Sequence, residues 1–138
     1  MLDDSKEVIA VCEKYDLVAI NRGPLAMVLL TDKYSVSTKP STDDVRGEKS
    51  PSWMKYFKDG KPNPEWLNKM ESARAILTSG GRTLAQGALA WLWARSEQTI
   101  PIPGFRTVEQ VEENCAALQF GPLAEHQMIE IESLLERN

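Results

Sequence analysis

The sequence predicts an α/β fold with a parallel sheet, and three observations carry that prediction. Leu17-Val18-Ala19-Ile20 is a continuous apolar run of strand length, as expected of a parallel strand covered on both faces. A second short strand reads at Thr99–Ile102. Segments with helical spacing alternate with these two runs, the mark of βα units. Only about two parallel strands are present, so the chain is mostly helical. Two strands neither close a barrel nor bury both faces of a sheet by themselves.

The first helix is predicted over 4–15, where Val8, Val11, Cys12 and Tyr15 fall at i, i+3, i+4 and i+7. Asp16 breaks it, and Gly23-Pro24 ends the strand that follows. From about Leu25 to Arg82 no further strand signal is present. Residues 35–62 are rich in Ser, Thr, Pro, Lys and Asp and read as a long surface loop, a length that usually carries function or mobility. Asn63-Pro64-Glu65 then starts a helix with a cap residue, a first-turn proline and an early acid. Trp66, Met70, Ala73 and Leu77 share its inner stripe, and Gly80-Gly81 closes it. Thr83 and Gln86 form a capping box for the next helix, whose Leu84, Ala85, Ala88, Leu89 and Leu92 turn inward. Trp91 and Trp93 widen that apolar arc. A helix over 107–118 places Val108, Val111, Cys115 and Leu118 inward, and a last helix over about 122–136 does so with Met128, Ile131 and Leu135.

The segment Thr99–Asn114 is the most informative. A strand empties through Gly104 onto a helix opened by Thr107, with Gln110 completing a capping box. The first N–H groups of such a helix lack partners and its dipole favours negative charge, so the turn suits an anion. Arg106 adds a forked donor suited to phosphate. Asn114 offers one donor and one acceptor to an adenine edge, and Gln110 offers a donor to phosphate.

Three motifs carry a family resemblance. Ile-Pro-Gly-Phe-Arg with Glu109-Gln110 and Glu113-Asn114 is similar to the last strand–helix unit of the aldo-keto reductases. Asn21-Arg-Gly-Pro-Leu-Ala-Met-Val-Leu-Leu-Thr-Asp-Lys-Tyr34 resembles the family pattern after the seventh strand. Thr83-Leu-Ala-Gln-Gly-Ala-Leu-Ala-Trp-Leu92 resembles its penultimate barrel helix. The resemblance implies the C-terminal part of a TIM-type (β/α)8 barrel. Such a barrel typically takes about 250 residues, so the whole chain, 1–138, is expected to be a single fragment of one. The long loop with its helix then spans about 25–82 and the NADP(H) phosphate and adenine unit about 99–118.

By the same resemblance, Arg22, Gly23, Pro24 and Leu25 flank the pyrophosphate and nicotinamide of NADP(H). Gly104, Phe105 and Arg106 surround the 2′-phosphate, and Gln110, Glu113 and Asn114 grip phosphate and adenine. Where the family pattern carries glycine, this chain has Val28 and Asp32. Glycine there permits positive φ, which valine tolerates badly and aspartate fairly well. Val28 thus puts the loop geometry and the pyrophosphate contact in question.

The family's catalytic Asp, Tyr, Lys and His lie on the first half of the barrel, and no position here matches them. His126 reads as a solvated surface residue. Tyr15, Tyr34 and Tyr56 have no Lys–His partnership, and general acid catalysis needs a tuned donor. Asp43-Asp44 reads as loop solvation. The resemblance implies an oxidoreductase that reduces aldehydes or ketones by hydride transfer, with this chain alone catalytically silent.

Two rival readings stand beside it. One is a non-catalytic nucleotide-binding or regulatory module, since some superfamily members serve as channel-associated subunits. The other is a structural half-barrel that self-associates, or pairs with the missing N-terminal half, through Trp66, Trp91 and Trp93. Sixteen basic and twenty acidic side chains, net −4 with no basic block, argue against nucleic acid. No apolar run reaches the ~18 residues of a membrane span. No metal-ligand spacing is present. Cys12 and Cys115 read as two separate buried thiols, which suits a reducing, cytoplasmic setting.

Overall fold

In the computed structural model, which describes residues 5–35, 37–48 and 50–135, the predicted order of elements is largely kept. The chain begins with α1 (Lys6–Lys14), then β1 (Ala19–Arg22) and a 3₁₀ turn at Leu29–Thr31. A hairpin of β2 (Phe57–Lys58) and β3 (Lys61–Pro62) follows, leading into α2 (Pro64–Leu77). The remainder is α3 (Leu84–Trp93), β4 (Thr99–Ile102), α4 (Val108–Ala116) and α5 (Glu125–Leu134). The outer limits expected for the first and last helices, Asp4 and Glu136, lie outside the described residues.

Local chemistry explains the helix starts. Ser5 caps α1 by accepting from the Val8 N–H. Asn63 caps α2, with Pro64 in its first turn. Thr83 and Gln86 close a reciprocal capping box on α3, at 3.2 and 2.9 Å. At α4 the reciprocity is incomplete. Thr107 Oγ1 accepts from the Gln110 N–H, but Gln110 Oε1 accepts from the Arg106 N–H rather than that of Thr107.

The hairpin corrects the expectation of no strand between Leu25 and Arg82. Its turn is Asp59-Gly60, both residues left-handed at φ 52° and 69°, the geometry of a two-residue hairpin loop. Arms of two residues are too short to show alternation, so the Asp-Gly dipeptide is the only signal the sequence carries.

β1 and β4 pair in parallel, with Ala19 opposite Thr99 and Arg22 opposite Ile102. The core lies on one side of this pair, among α2, α3, α5 and the segment after β1. Leu29, Leu30, Leu77, Trp91 and Ile131 are fully buried there. Gly87 lets α3 press on the end of α2, since a Cβ at that position would fall 2.1 Å from the Leu77 carbonyl oxygen. The predicted inner stripes of α2, α3 and α5 are all covered, with Met128 packed against the buried set.

The other side is bare, which overturns several expectations. Leu17, Val18, Ile20, Ile100 and Ile102 are exposed, so the strand pair is covered on one face only. On α1 only Ile9 is buried, while Val8, Val11 and Tyr15 face outward. No residue of α4 is buried; Val108 and Leu118 are both 68% exposed and Val111 is half-buried. The stripes have helical spacing, but among the described residues no neighbouring element buries them. For the same reason Cys115 is exposed and Cys12 only half-buried, both free thiols rather than buried ones. Trp91 is fully buried and is no part of any interface. Trp93 is half-buried against the core, and Trp66 packs edge-on to Tyr56 beneath Lys69.

Candidate functional site

The parallel register gathers the candidate residues at one end of the sheet. Because Arg22 stands opposite Ile102, the turns that leave the two strands, Gly23–Leu25 and Pro103–Arg106, emerge side by side. Arg22 and Gly23 face outward, whereas Pro24 is buried and Leu25 belongs to the core. Beside them Asn21 Oδ1 is buried without a hydrogen-bond partner, an acceptor left over at the strand end.

Gly104, Phe105 and Arg106 are exposed. A Cβ built on Gly104 meets nothing within 4 Å, so space is open above the turn. The bond from the Arg106 N–H to Gln110 Oε1, 2.7 Å long, fixes the Gln110 amide with its acceptor occupied. Its Nε2 then remains as the donor. The Glu109 carboxyl lies in the first turn of α4, where its own backbone N–H, and then the Thr107 hydroxyl, hold it below the usual carboxylate range. Glu113 and Asn114 are half-buried one turn further along α4.

A second arginine organises the loop opposite. Arg46 binds Asp44 at 2.7 and 2.5 Å, donates to the Met27 carbonyl at 3.4 Å, and lies over the Tyr34 ring. The Asp44 carboxyl is held down at about 2, chiefly by these Arg46 hydrogen bonds and in small part by the charge of Arg106. Asp44 is therefore a clamp on the loop and not merely loop solvation. The clamp bears on a strained segment: Ala26, Met27 and Val28 are all left-handed, as is Asp32 beyond the 3₁₀ turn. Asp32 in turn binds Arg74 at 2.5 Å.

Sequence reasoning missed Arg46, Arg74 and the second use of Gln86, whose Nε2 donates to the Glu113 carbonyl at 3.0 Å. Nothing in the sequence pairs positions 27 residues apart, whereas a capping box is local and readable. Among the described residues no three His, Cys, Asp or Glu side chains lie close enough to hold a metal ion. No described helix is long and apolar enough to cross a membrane. His126 is exposed on α5.

Comparison with known proteins names the family. Residues 1–136 match the model of the Aldo/keto reductase family. The chain belongs to that family. It is 32% identical over 114 residues to the aldo-keto reductase yakc (NADP(+)) of Schizosaccharomyces pombe, covering 81% of this chain and 31% of that protein. It is 30% identical over 112 residues to the chloroplastic pyridoxal reductase of Arabidopsis thaliana, covering 81% of this chain and 27% of that one. The chain thus matches under a third of the length of either relative. Aldo/keto reductases are oxidoreductases that fold as (β/α)8 barrels, and a mostly helical chain with one parallel strand pair is consistent with part of such a barrel.

Proposed function

We propose that this chain is the C-terminal part of an aldo/keto reductase barrel and holds the phosphate and adenine end of NADP(H). The observation that carries this reading is the alignment of Arg22 with Ile102, which brings the Gly23 and Gly104 turns together at the C-terminal ends of the strands. Ligand sites of barrel enzymes lie on that face. The donor set fits the cofactor. Arg106 and Gln110 Nε2 suit the 2′-phosphate, Asn114 suits the adenine edge with Glu113 beside it, and Arg22 stands beside the pyrophosphate. The open space above Gly104 leaves room for the ligand, with Phe105 exposed at its rim. When bound, the cofactor supplies the hydride by which the complete barrel reduces an aldehyde or ketone. The name of the S. pombe relative, which carries NADP(+), supports the choice of cofactor.

This chain by itself binds and orients but does not turn over. None of its histidine, tyrosine or lysine positions matches the family's catalytic set, and the two free thiols suit a cytoplasmic setting. Calorimetric titration with NADPH, alongside an NADPH-oxidation assay with several aldehydes, tests the reading. Saturable binding without oxidation is expected. Oxidation above the no-protein control would overturn the assignment of silence, and absence of binding would overturn the cofactor assignment.

A second reading, self-association, is favoured by the bare sheet face. Ile20 is 65% exposed, and Ile100 and Ile102 are each 50% exposed on the same side of the strand pair. Apolar surface of this kind is normally covered.

A further inference from the structure

We infer that Gln86 is a positioning residue for the adenine end of the cofactor, an inference that rests on the reading above. Gln86 is a buried polar side chain, 7% exposed, in the first turn of α3. Its two amide atoms do different work. Oε1 accepts from the Thr83 N–H at 2.9 Å and closes the cap of α3. Nε2 crosses to α4 and donates to the Glu113 carbonyl at 3.0 Å.

That carbonyl needs an outside donor for a local reason. In a continued α-helix the Glu113 oxygen would receive the N–H four residues on, at Ala117. Here α4 tightens into a 3₁₀ turn at Ala117–Gln119, and the Ala117 N–H goes to Asn114 and Cys115 instead. Gln86 Nε2 supplies the replacement. A carbonyl left unpaired in this part-buried contact costs free energy, so the bond selects one rotation and one height of α4 against α3. Glu113 and Asn114 follow from that setting, because the tethered carbonyl is that of Glu113 itself. α4 packs along α3 without fully burying any residue of its own. The directed bond from Gln86 to the Glu113 carbonyl fixes the register of that contact and so aims Asn114.

The chemistry separates cap from tether. Gln86→Glu keeps an acceptor for the Thr83 N–H, as in a standard capping box, but at pH 8 its carboxylate cannot donate to Glu113. Thr83→Ala removes the side-chain half of the cap and leaves the tether. Titration of the 138-residue chain with NADPH and with NADH reads the difference. Gln86→Glu is expected to weaken both cofactors by the same factor, about tenfold, of the order of one lost charge-free hydrogen bond. It should add little on an Asn114→Ala background, because the two changes act on one contact. Thr83→Ala, matched for loss of melting temperature, should leave both affinities unchanged; Gln86→Met should repeat the cofactor loss if the carboxylate variant folds poorly.

Hydrogen exchange on the ligand-free chain supplies a readout independent of the cofactor. Gln86→Glu should speed exchange over residues 113–118 and Thr83→Ala over 84–87. If Asn114→Ala weakens binding while Gln86→Glu and Gln86→Met do not, the positioning role is wrong and the cofactor site stands. Equal effects of Thr83→Ala and Gln86→Glu on affinity would reduce Gln86 to a cap and overturn the inference. If Asn114→Ala is itself without effect, the adenine assignment fails, and the positioning role with it.

Discussion

Val28 and Asp32 bracket the 3₁₀ turn after β1 and share the left-handed conformation, at φ 67° and 59°. By the resemblance both stand where the family pattern carries glycine, and a left-handed backbone is one that glycine adopts freely. Asp32 tolerates the conformation and is rewarded by the ion pair with Arg74. Val28 is β-branched and gains no such partner. The surroundings hold it in place through the Thr31 hydroxyl, which donates to the Val28 carbonyl at 2.8 Å, and through fully buried Leu29 and Leu30.

Val28→Gly should therefore stabilise the chain. Relief of left-handed strain is worth about 1–3 kcal/mol, and the added flexibility of glycine takes back about 0.5–1 kcal/mol. A net gain of roughly 1 kcal/mol in urea unfolding is expected. A lower midpoint for the glycine variant would mean that Val28 packing outweighs its backbone strain.

The Asp44–Arg46 clamp makes stability depend on acid. The Asp44 carboxyl is depressed from 3.8 to about 2 in the fold, so its contribution is present above pH 3.8 and is lost as pH falls toward 2. Discounted for solvent screening, that contribution is about 1 kcal/mol. Asp44→Asn should be less stable than the parent at pH 7, with the two converging near pH 2. A constant difference across that range would show that the ionised Asp44 is not what holds the loop.

Much of the fold is legible in the sequence because its signals are local. Caps at Asn63 and Thr83, the stripe Met70–Ala73–Leu77 and the two strand runs need only neighbouring residues. The errors arise where a correct pattern lacks a partner. Val108, Val111, Cys115 and Leu118 do form a stripe, and periodicity cannot say whether another helix covers it. Contacts that join distant positions, Arg46 to Met27 and Gln86 to Glu113, leave no periodic trace. In the candidate site the turn from β4 into α4 was readable from Gly104 and Thr107. The unequal roles of Arg22 and Leu25, one outward and one in the core, required the packing.

The bare strand face predicts association. Light scattering should give a mass above the 15.5 kDa of one chain, increasing with concentration. Ile20→Lys with Ile100→Lys should return the mass toward that value while the helical circular dichroism is unchanged, since both side chains lie away from the core. A parent chain that stays monomeric at every concentration would contradict this expectation.

The most direct test of the central claim is Arg106→Ala, titrated calorimetrically with NADPH and with NADH. A charge-assisted contact to the 2′-phosphate is worth about 1.5–3 kcal/mol, roughly tenfold or more in affinity. NADPH should lose that much and NADH, which lacks the 2′-phosphate, should barely change. Equal losses for the two cofactors would mean that Arg106 does not read the 2′-phosphate, and no loss for either would contradict the assignment of the Gly104–Asn114 unit to the cofactor.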